Sequence, residues 1–139
     1  GVQTCALPIW MDVAQNRFSS NGWAIKIQAN CDGNNITTNN FEMNTFDLGT
    51  NGSLVLNTFS GNYWDKYNGF DWDRNGIGDL PYRPLSLYSL IIEQNPLALL
   101  LFHSFMVSLL ERSEKLIPGI TPEALKDPVP KMKPLPLTF

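Results

Sequence analysis

The sequence predicts a mainly β fold, the end coils of a β-solenoid followed by a C-terminal α-helical segment. Three observations predict it. Short runs with period-two alternation recur between turn residues, an Asn-x-Phe unit repeats along the first half, and beyond Leu85 the pattern becomes Leu-rich with helical spacing. With 139 residues, 43% of them hydrophobic and 12% aromatic, the chain has the material for one core.

The Asn-x-Phe unit appears as Asn16-Arg17-Phe18, Asn39-Asn40-Phe41, Asn44-Thr45-Phe46 and Asn57-Thr58-Phe59. The first two lie 23 residues apart; 5 and 13 residues separate the later ones, so about two coils are visible and their spacing looks irregular. Trp23-Ala24-Ile25-Lys26-Ile27 and Asn35-Ile36-Thr37-Thr38 read as strands with one buried face. Ser20-Asn21-Gly22, Asp32-Gly33-Asn34 and Thr50-Asn51-Gly52 read as turns. A repeat in the twenties with short strands and no helix is the mark of stacked coils. Asn suits the coil corners because its amide can bond along the stack and its backbone tolerates left-handed angles. The Asn-x-Ser/Thr triplets at Asn35 and Asn51 read as ladder and turn rather than as glycan acceptors. A β-sandwich with hairpin turns is the alternative.

Organisation follows composition. Residues 1–9 look like translated sequencing-adapter DNA, residues 10–83 hold the coils and an aromatic, acidic end loop, residues 84–126 read as helical, and residues 127–139 form a Pro-rich tail. The chain starts inside a repeat and reads as a fragment, whose first strand should expose open edges and promote aggregation. Leu85 to Glu93 suits a short helix, and Asn95-Pro96 caps and starts a second one reaching about Leu116. Thr121-Pro122 begins a third. The tail, with Pro128, Pro130, Pro134 and Pro136, favours extended chain that is mobile unless docked.

The net charge of −3 and the scattered Lys and Arg give no footprint for a phosphate backbone, which excludes nucleic acid as the natural partner. Once residues 1–9 are set aside, Cys31 stands alone, so no disulfide follows, and it reads as a small buried apolar residue. With His103 as the sole histidine, inside an apolar run, and with Met11, Met43, Met106 and Met132 dispersed, neither a triad nor a self-contained copper site is spelled out.

The most specific local motif is Asp71-Trp72-Asp73-Arg74-Asn75-Gly76-Ile77-Gly78-Asp79. Oxygens of Asp71, Asp73, Asn75 and Asp79, with Gly76 at place six and the Ile77 carbonyl at place seven, reproduce the first nine places of a calcium loop. Tyr82 stands where the bidentate Glu belongs, so the competing reading is a turn whose Asp and Gly satisfy the backbone without an ion. Any calcium here would be structural. The aromatic run from Tyr63 to Phe70 reads as a cover for the solenoid end, with sugar stacking as the sharper alternative. Asp65, Asp71 and Asp73 supply carboxylates for glycan cleavage, but no spacing shows two of them at catalytic separation.

Residues 97–110 form an apolar run of fourteen, short of the roughly twenty that span a bilayer. Its apolar residues surround the helix, which marks Leu97, Leu100, Leu101, Phe102, Phe105 and Leu109 as candidates for a partner or membrane surface, against simple packing on the coils.

The string Phe59-Ser60-Gly61-Asn62-Tyr63-Trp64-Asp65-Lys66-Tyr67, then Gly69-Phe70-Asp71, Gly76-Ile77-Gly78-Asp79, Pro81-Tyr82-Arg83-Pro84 and Glu93-Gln94-Asn95-Pro96, resembles the closing section of NosD-type proteins, maturation factors of nitrous oxide reductase. The resemblance runs from about residue 10 to about residue 133. It implies a right-handed parallel β-helix in the periplasm, peripheral to the membrane and not an enzyme. It also implies work with an ABC-type ATPase and permease, and with the reductase or its copper chaperone, in assembling copper–sulfur centres. Copper is implied by the resemblance alone. The alternative from another class is a carbohydrate-binding or polysaccharide-processing β-helix.

Overall fold

The computed structural model describes residues 10–28, 31–51, 56–86, 97 and 125–137. Eight short strands stack in three parallel sheets. β1 (Asp12–Ala14), β4 (Asn35–Thr37) and β7 (Thr58–Ser60) form the first; β2 (Arg17–Ser19), β5 (Asn40–Glu42) and β8 (Tyr63–Trp64) the second; β3 (Trp23–Ile27) and β6 (Phe46–Thr50) the third. Every strand pairing among the described residues is parallel, which removes the β-sandwich alternative, since hairpins give antiparallel neighbours.

Three coils stack in this part of the chain, one more than the Asn-x-Phe count indicates. Asp12 pairs with Asn35 and Asn35 with Thr58, while Arg17 pairs with Asn40 and Asn40 with Tyr63. The third coil escapes the motif because it carries Asn62-Tyr63-Trp64, with Trp in the Phe position. Spacings of 5 and 13 residues, irregular on the page, are corners of one coil: Asn34, Asn39 and Asn44 sit five apart, and thirteen residues then lead round to Asn57. Side chains two residues after each corner point inward and pile up. Phe18, Phe41 and Trp64 stack with centroids 4.9 and 4.0 Å apart, close to the spacing of neighbouring strands. Ile36 and Phe59 form a second buried column, and Ile25 and Leu48 lie in a third.

The corners are held by asparagine. Asn34 Oδ1 accepts from Met11 N at 2.8 Å and Asn57 Oδ1 from Asn34 N at 2.8 Å. Asn39 Oδ1 accepts from Asn16 N at 2.9 Å, Asn62 Oδ1 from Asn39 N at 3.0 Å, and Asn44 Oδ1 from Asn21 N at 3.0 Å. The amide nitrogens of Asn39, Asn44, Asn57 and Asn62 also donate to the coil above, as Asn39 does to Val13 O at 2.7 Å and Asn62 to Ile36 O at 2.8 Å, while Asn34 donates to Cys31 O within its own coil. The left-handed angle does not fall on the ladder Asn, as the sequence reading has it, but on the residue before it. Gln15, Ser20, Thr38 and Met43 have φ between 53° and 58°, and Gly33 and Gly61 take the same place at 76° and 67°. The turn that aims the Asn side chain inward needs positive φ one step earlier, and glycine accepts it without strain. Asn35 is not a rung either; it lies exposed on β4 and donates to Asp12 Oδ1 at 2.8 Å.

The C-terminal part departs from the sequence reading at Leu85, and the tail meets the condition that reading set for order, docking. Leu85 does not open a helix: it is fully buried and forms a parallel bridge with Leu48, extending the third sheet beneath β6. Nor is the start of the tail loose. Leu125 enters the core, Tyr82 and Asp127 exchange backbone hydrogen bonds at 2.9 and 2.8 Å, and Lys131 bridges to both Tyr63 and Ile77. Buried donors left at the end of the third coil explain the docking, because unpaired backbone groups are costly. The helices read over 85–93, 95–116 and 121–126 otherwise lie outside the described residues.

Candidate functional site

Chemistry-bearing residues gather at the closed end of the coils. Asp127 is fully buried and takes the place of the next ladder Asn. Its Oδ2 accepts from Asn62 N at 2.9 Å, Asn62 Nδ2 at 3.0 Å and Trp64 Nε1 at 3.1 Å. Oδ1 accepts from Gly61 N at 3.0 Å and Val129 N at 3.1 Å. One carboxylate thus satisfies the donors that a fourth coil would otherwise take. Sequence reasoning missed it, since Asp127 stands 65 residues from Asn62 and outside the repeat period.

A second buried carboxylate lies nearby. Asp47, on β6, faces Lys66 Nζ at 3.5 Å and receives the Tyr82 hydroxyl at 3.3 Å, while its Oδ1 has no partner among the described residues. Burial pushes its pKa up, with Asp65 adding to the rise; Lys66 and Tyr82 only partly offset it.

The 71–79 loop closes on itself. Asp71 Oδ1 accepts from Asn75 N at 3.0 Å and Oδ2 from Gly76 N at 2.9 Å; Asp73 Oδ2 accepts from Asn75 Nδ2 at 2.7 Å; Asn75 Oδ1 accepts from Ile77 N at 2.7 Å; and Asp79 Oδ2 accepts from Trp72 N at 2.7 Å. Arg74 and Gly76 adopt φ of 57° and 82° to make the turn. Burial raises the Asp71 pKa, but the amides of Gly76 and Asn75, the Asp73 side chain and the Arg74 amide together outweigh it, leaving the carboxyl below its ordinary range. The five candidate residues Asp71, Asp73, Asn75, Ile77 and Asp79 are therefore brought together in one loop, with the side-chain oxygens of Asp71, Asp73, Asn75 and Asp79 accepting from the loop's own donors. Among the described residues no group of three or more His, Cys, Asp or Glu is placed to hold a metal ion.

Tyr67 explains why residues 69 and 78 are glycine. The Tyr67 ring lies against both backbones, where a β-carbon on either would run into the phenol, and its hydroxyl donates to Leu80 O at 2.7 Å. Gly78 N in turn donates to Pro130 O at 2.8 Å, tying loop to tail. Phe70 and Trp72, in an edge-to-face pair 6.4 Å apart, project into solvent.

A groove of about 670 Å³ runs over the outer face of the second sheet. Arg17, Glu42, Tyr63 and Asp65 line it, with Pro134 to Leu137 as one wall. Asn40 holds that wall in place, donating to Leu135 O at 3.0 Å and accepting from Leu135 N at 2.9 Å. The Arg17–Glu42 pair, 2.6 Å apart, spans two coils. Burial first, then Asp65 and Glu42, push the Tyr63 phenol pKa up, so it stays a donor.

The sequence of this chain is similar to those of two known proteins. A probable ABC transporter binding protein NosD from Pseudomonas aeruginosa is 33% identical over 73 residues, 52% of this chain and 17% of that protein. A protein of the same name from Stutzerimonas stutzeri is 27% identical over 124 residues, 87% of this chain and 28% of that protein. The likeness is to NosD. The chain spans less than a third of the length of these relatives, and no protein-family profile matches it. Both relatives are named as transporter-binding proteins rather than as enzymes.

Of the partner-surface candidates, Leu97 is exposed, while Leu100, Leu101, Phe102, Phe105 and Leu109 lie outside the described residues, as does His103. Cys31 is free and half-buried against the core. Among the described residues no helix is long and apolar enough to cross a membrane.

Proposed function

We propose that the chain is the closing section of a non-catalytic periplasmic binding subunit that works with an ABC-type ATPase and its permease in the maturation of nitrous oxide reductase. The observation that carries this reading is the alignment of 87% of the chain with a protein named as an ABC transporter binding protein, NosD. The architecture supports it: stacked coils with amide-locked corners and a carboxylate-sealed end make a rigid scaffold that presents surfaces. Copper belongs to this reading as cargo for the reductase's copper–sulfur centre. A calcium ion held by Asp71, Asp73, Asn75, Ile77 and Asp79 would be structural in this reading.

In a strain lacking the gene, nitrous oxide reductase is expected to accumulate without its copper–sulfur absorption bands. The tagged full-length protein is expected to bring down the ATPase and permease from detergent extracts. A reductase with normal bands in the deletion strain overturns the reading.

A second reading, polysaccharide binding, has one observation in its favour. The groove beside the tail places the Tyr63 ring with Arg17, Glu42 and Asp65 on a flat sheet face, a mixture suited to sugar rings and hydroxyls. Titration with acidic and neutral polysaccharides separates the two: saturable binding lost in Tyr63→Ala supports the groove, and no binding at millimolar sugar removes it.

A further inference from the structure

We propose that the Phe70 and Trp72 projection is the docking element through which the protein meets its transporter partner, and that the partner offers an apolar pocket bordered by Lys or Arg side chains. This rests on the transporter-binding reading above.

Trp72 is 83% and Phe70 61% exposed, and Leu80, at the far end of the same loop, is 51% exposed. None of the three belongs to the core. Other large apolar side chains in the open have a different setting: Trp10 lies over Gly33 on the first coil, and Met43 and Leu56 carry no aromatic neighbour in the described contacts. Among the described residues, only here do two exposed rings pair. A Trp held out of the core by a rigid loop is the side chain that most often anchors a protein interface.

The loop is held in one shape before any partner arrives. Asp79 Oδ2 accepts from Trp72 N, Asp79 N donates to Phe70 O at 2.8 Å, and Asp71 takes the amides of Asn75 and Gly76. The tail braces it from behind, with Met132 N donating to Gly76 O at 3.0 Å and Ile77 bridged to Lys131. Little conformational entropy remains to be lost on binding, the condition under which a small contact gives useful affinity.

Charge sets the partner's chemistry. Asp71, Asp73 and Asp79 flank the two rings, Arg74 is the one basic residue of residues 70–80 and Lys131 meets the loop at Ile77, so the loop itself carries more acid than base beside the aromatic tip. Such a loop attracts a cationic border and repels anionic lipid, and the Trp72 face can itself receive a cation. A protein pocket with basic edges fits this surface; an anionic membrane does not.

The test uses the full-length parent protein, co-expressed with its ATPase and permease and purified in detergent, as wild type, Phe70→Ala/Trp72→Ala and Leu56→Ala. Retention by wild type and Leu56→Ala, with loss of at least about 30-fold in affinity in the double variant, supports the docking loop. Affinity of the wild type should also fall between about 50 and 500 mM salt. The melting temperature of the double variant should stay within a few degrees of wild type, since neither ring touches the core. If it does not, Trp72→Glu, which leaves Phe70 in place, gives the same reading. Undiminished binding by the ring variants overturns the docking loop and leaves the transporter reading standing. Failure of the wild type itself to co-purify overturns both. Quenching of Trp72 fluorescence by neutral oligosaccharide, without transporter binding, assigns the loop to sugar and overturns the protein partner.

Discussion

Two buried carboxylates at the closed end behave in opposite ways. Asp127 receives five hydrogen bonds, from Gly61, Asn62 twice, Trp64 and Val129. Asp127→Ala leaves these donors buried without an acceptor, and a loss of about 3–5 kcal/mol is expected in urea denaturation. Asp127→Asn keeps one acceptor oxygen and should cost less. Asp47 has the reverse balance, since burial raises its pKa above the ordinary 3.8 and one oxygen lacks a partner. A raised folded-state pKa means that the contribution of Asp47 to stability is fully present below its unfolded pKa and is lost as pH rises through the folded one. Asp47→Asn is therefore expected to raise the melting temperature at pH 7 relative to wild type and to flatten the pH profile above pH 4. A lower melting temperature at pH 7 would show that the Lys66 pair outweighs burial.

At the scale of elements, the corner ladder and the end loop are built from the same device, a side-chain oxygen turned onto backbone amides. Asn39 holds the middle rung, accepting from Asn16 N and donating to Val13 O and Thr37 O. Asn39→Ala should cost about 2–3 kcal/mol, whereas Asn35→Ala, outside the ladder, should stay within about 0.5 kcal/mol. Thermal melts of the pair test whether the rung or merely the residue type matters. In the loop, Gly78→Ala drives a methyl into the Tyr67 ring. The expected result is loss of near-UV circular dichroism from the displaced aromatics, with the far-UV signal of the coils retained. Calcium at about 5 mM leaves the melting temperature unchanged if the motif is a turn alone. A rise reversed by chelator would assign the spacing to an ion. The motif was legible as a turn from its Asp and Gly positions alone, while the role of Gly69 and Gly78 was not: it depends on Tyr67, whose ring reaches them only in the folded chain.

For the molecule as a whole, the two ends of the stack differ. β1, β2 and β3 each have a single neighbour, so their outer edges are open among the described residues, whereas the third coil is closed by Leu85, Asp127 and Lys131. An open parallel edge next to a half-buried Phe18 favours association, and the isolated chain is expected to sediment as concentration-dependent oligomers at about 100 μM. A clean monomer there would mean that the first coil is covered. The sequence by itself determined the coil: a rung and the ring two residues after it meet the same neighbours in every turn, so the constraint repeats at 23 residues and shows as a pattern from Asn16-Arg17-Phe18 to Asn39-Asn40-Phe41, though not where Trp64 replaces Phe. Tertiary structure alone decided the closure. The docking of Leu85 and Asp127 answers orphaned donors and uncovered rings at the end of the stack, a demand that exists once the stack is built and that leaves no periodic trace in a proline-rich tail 65 residues from its partner.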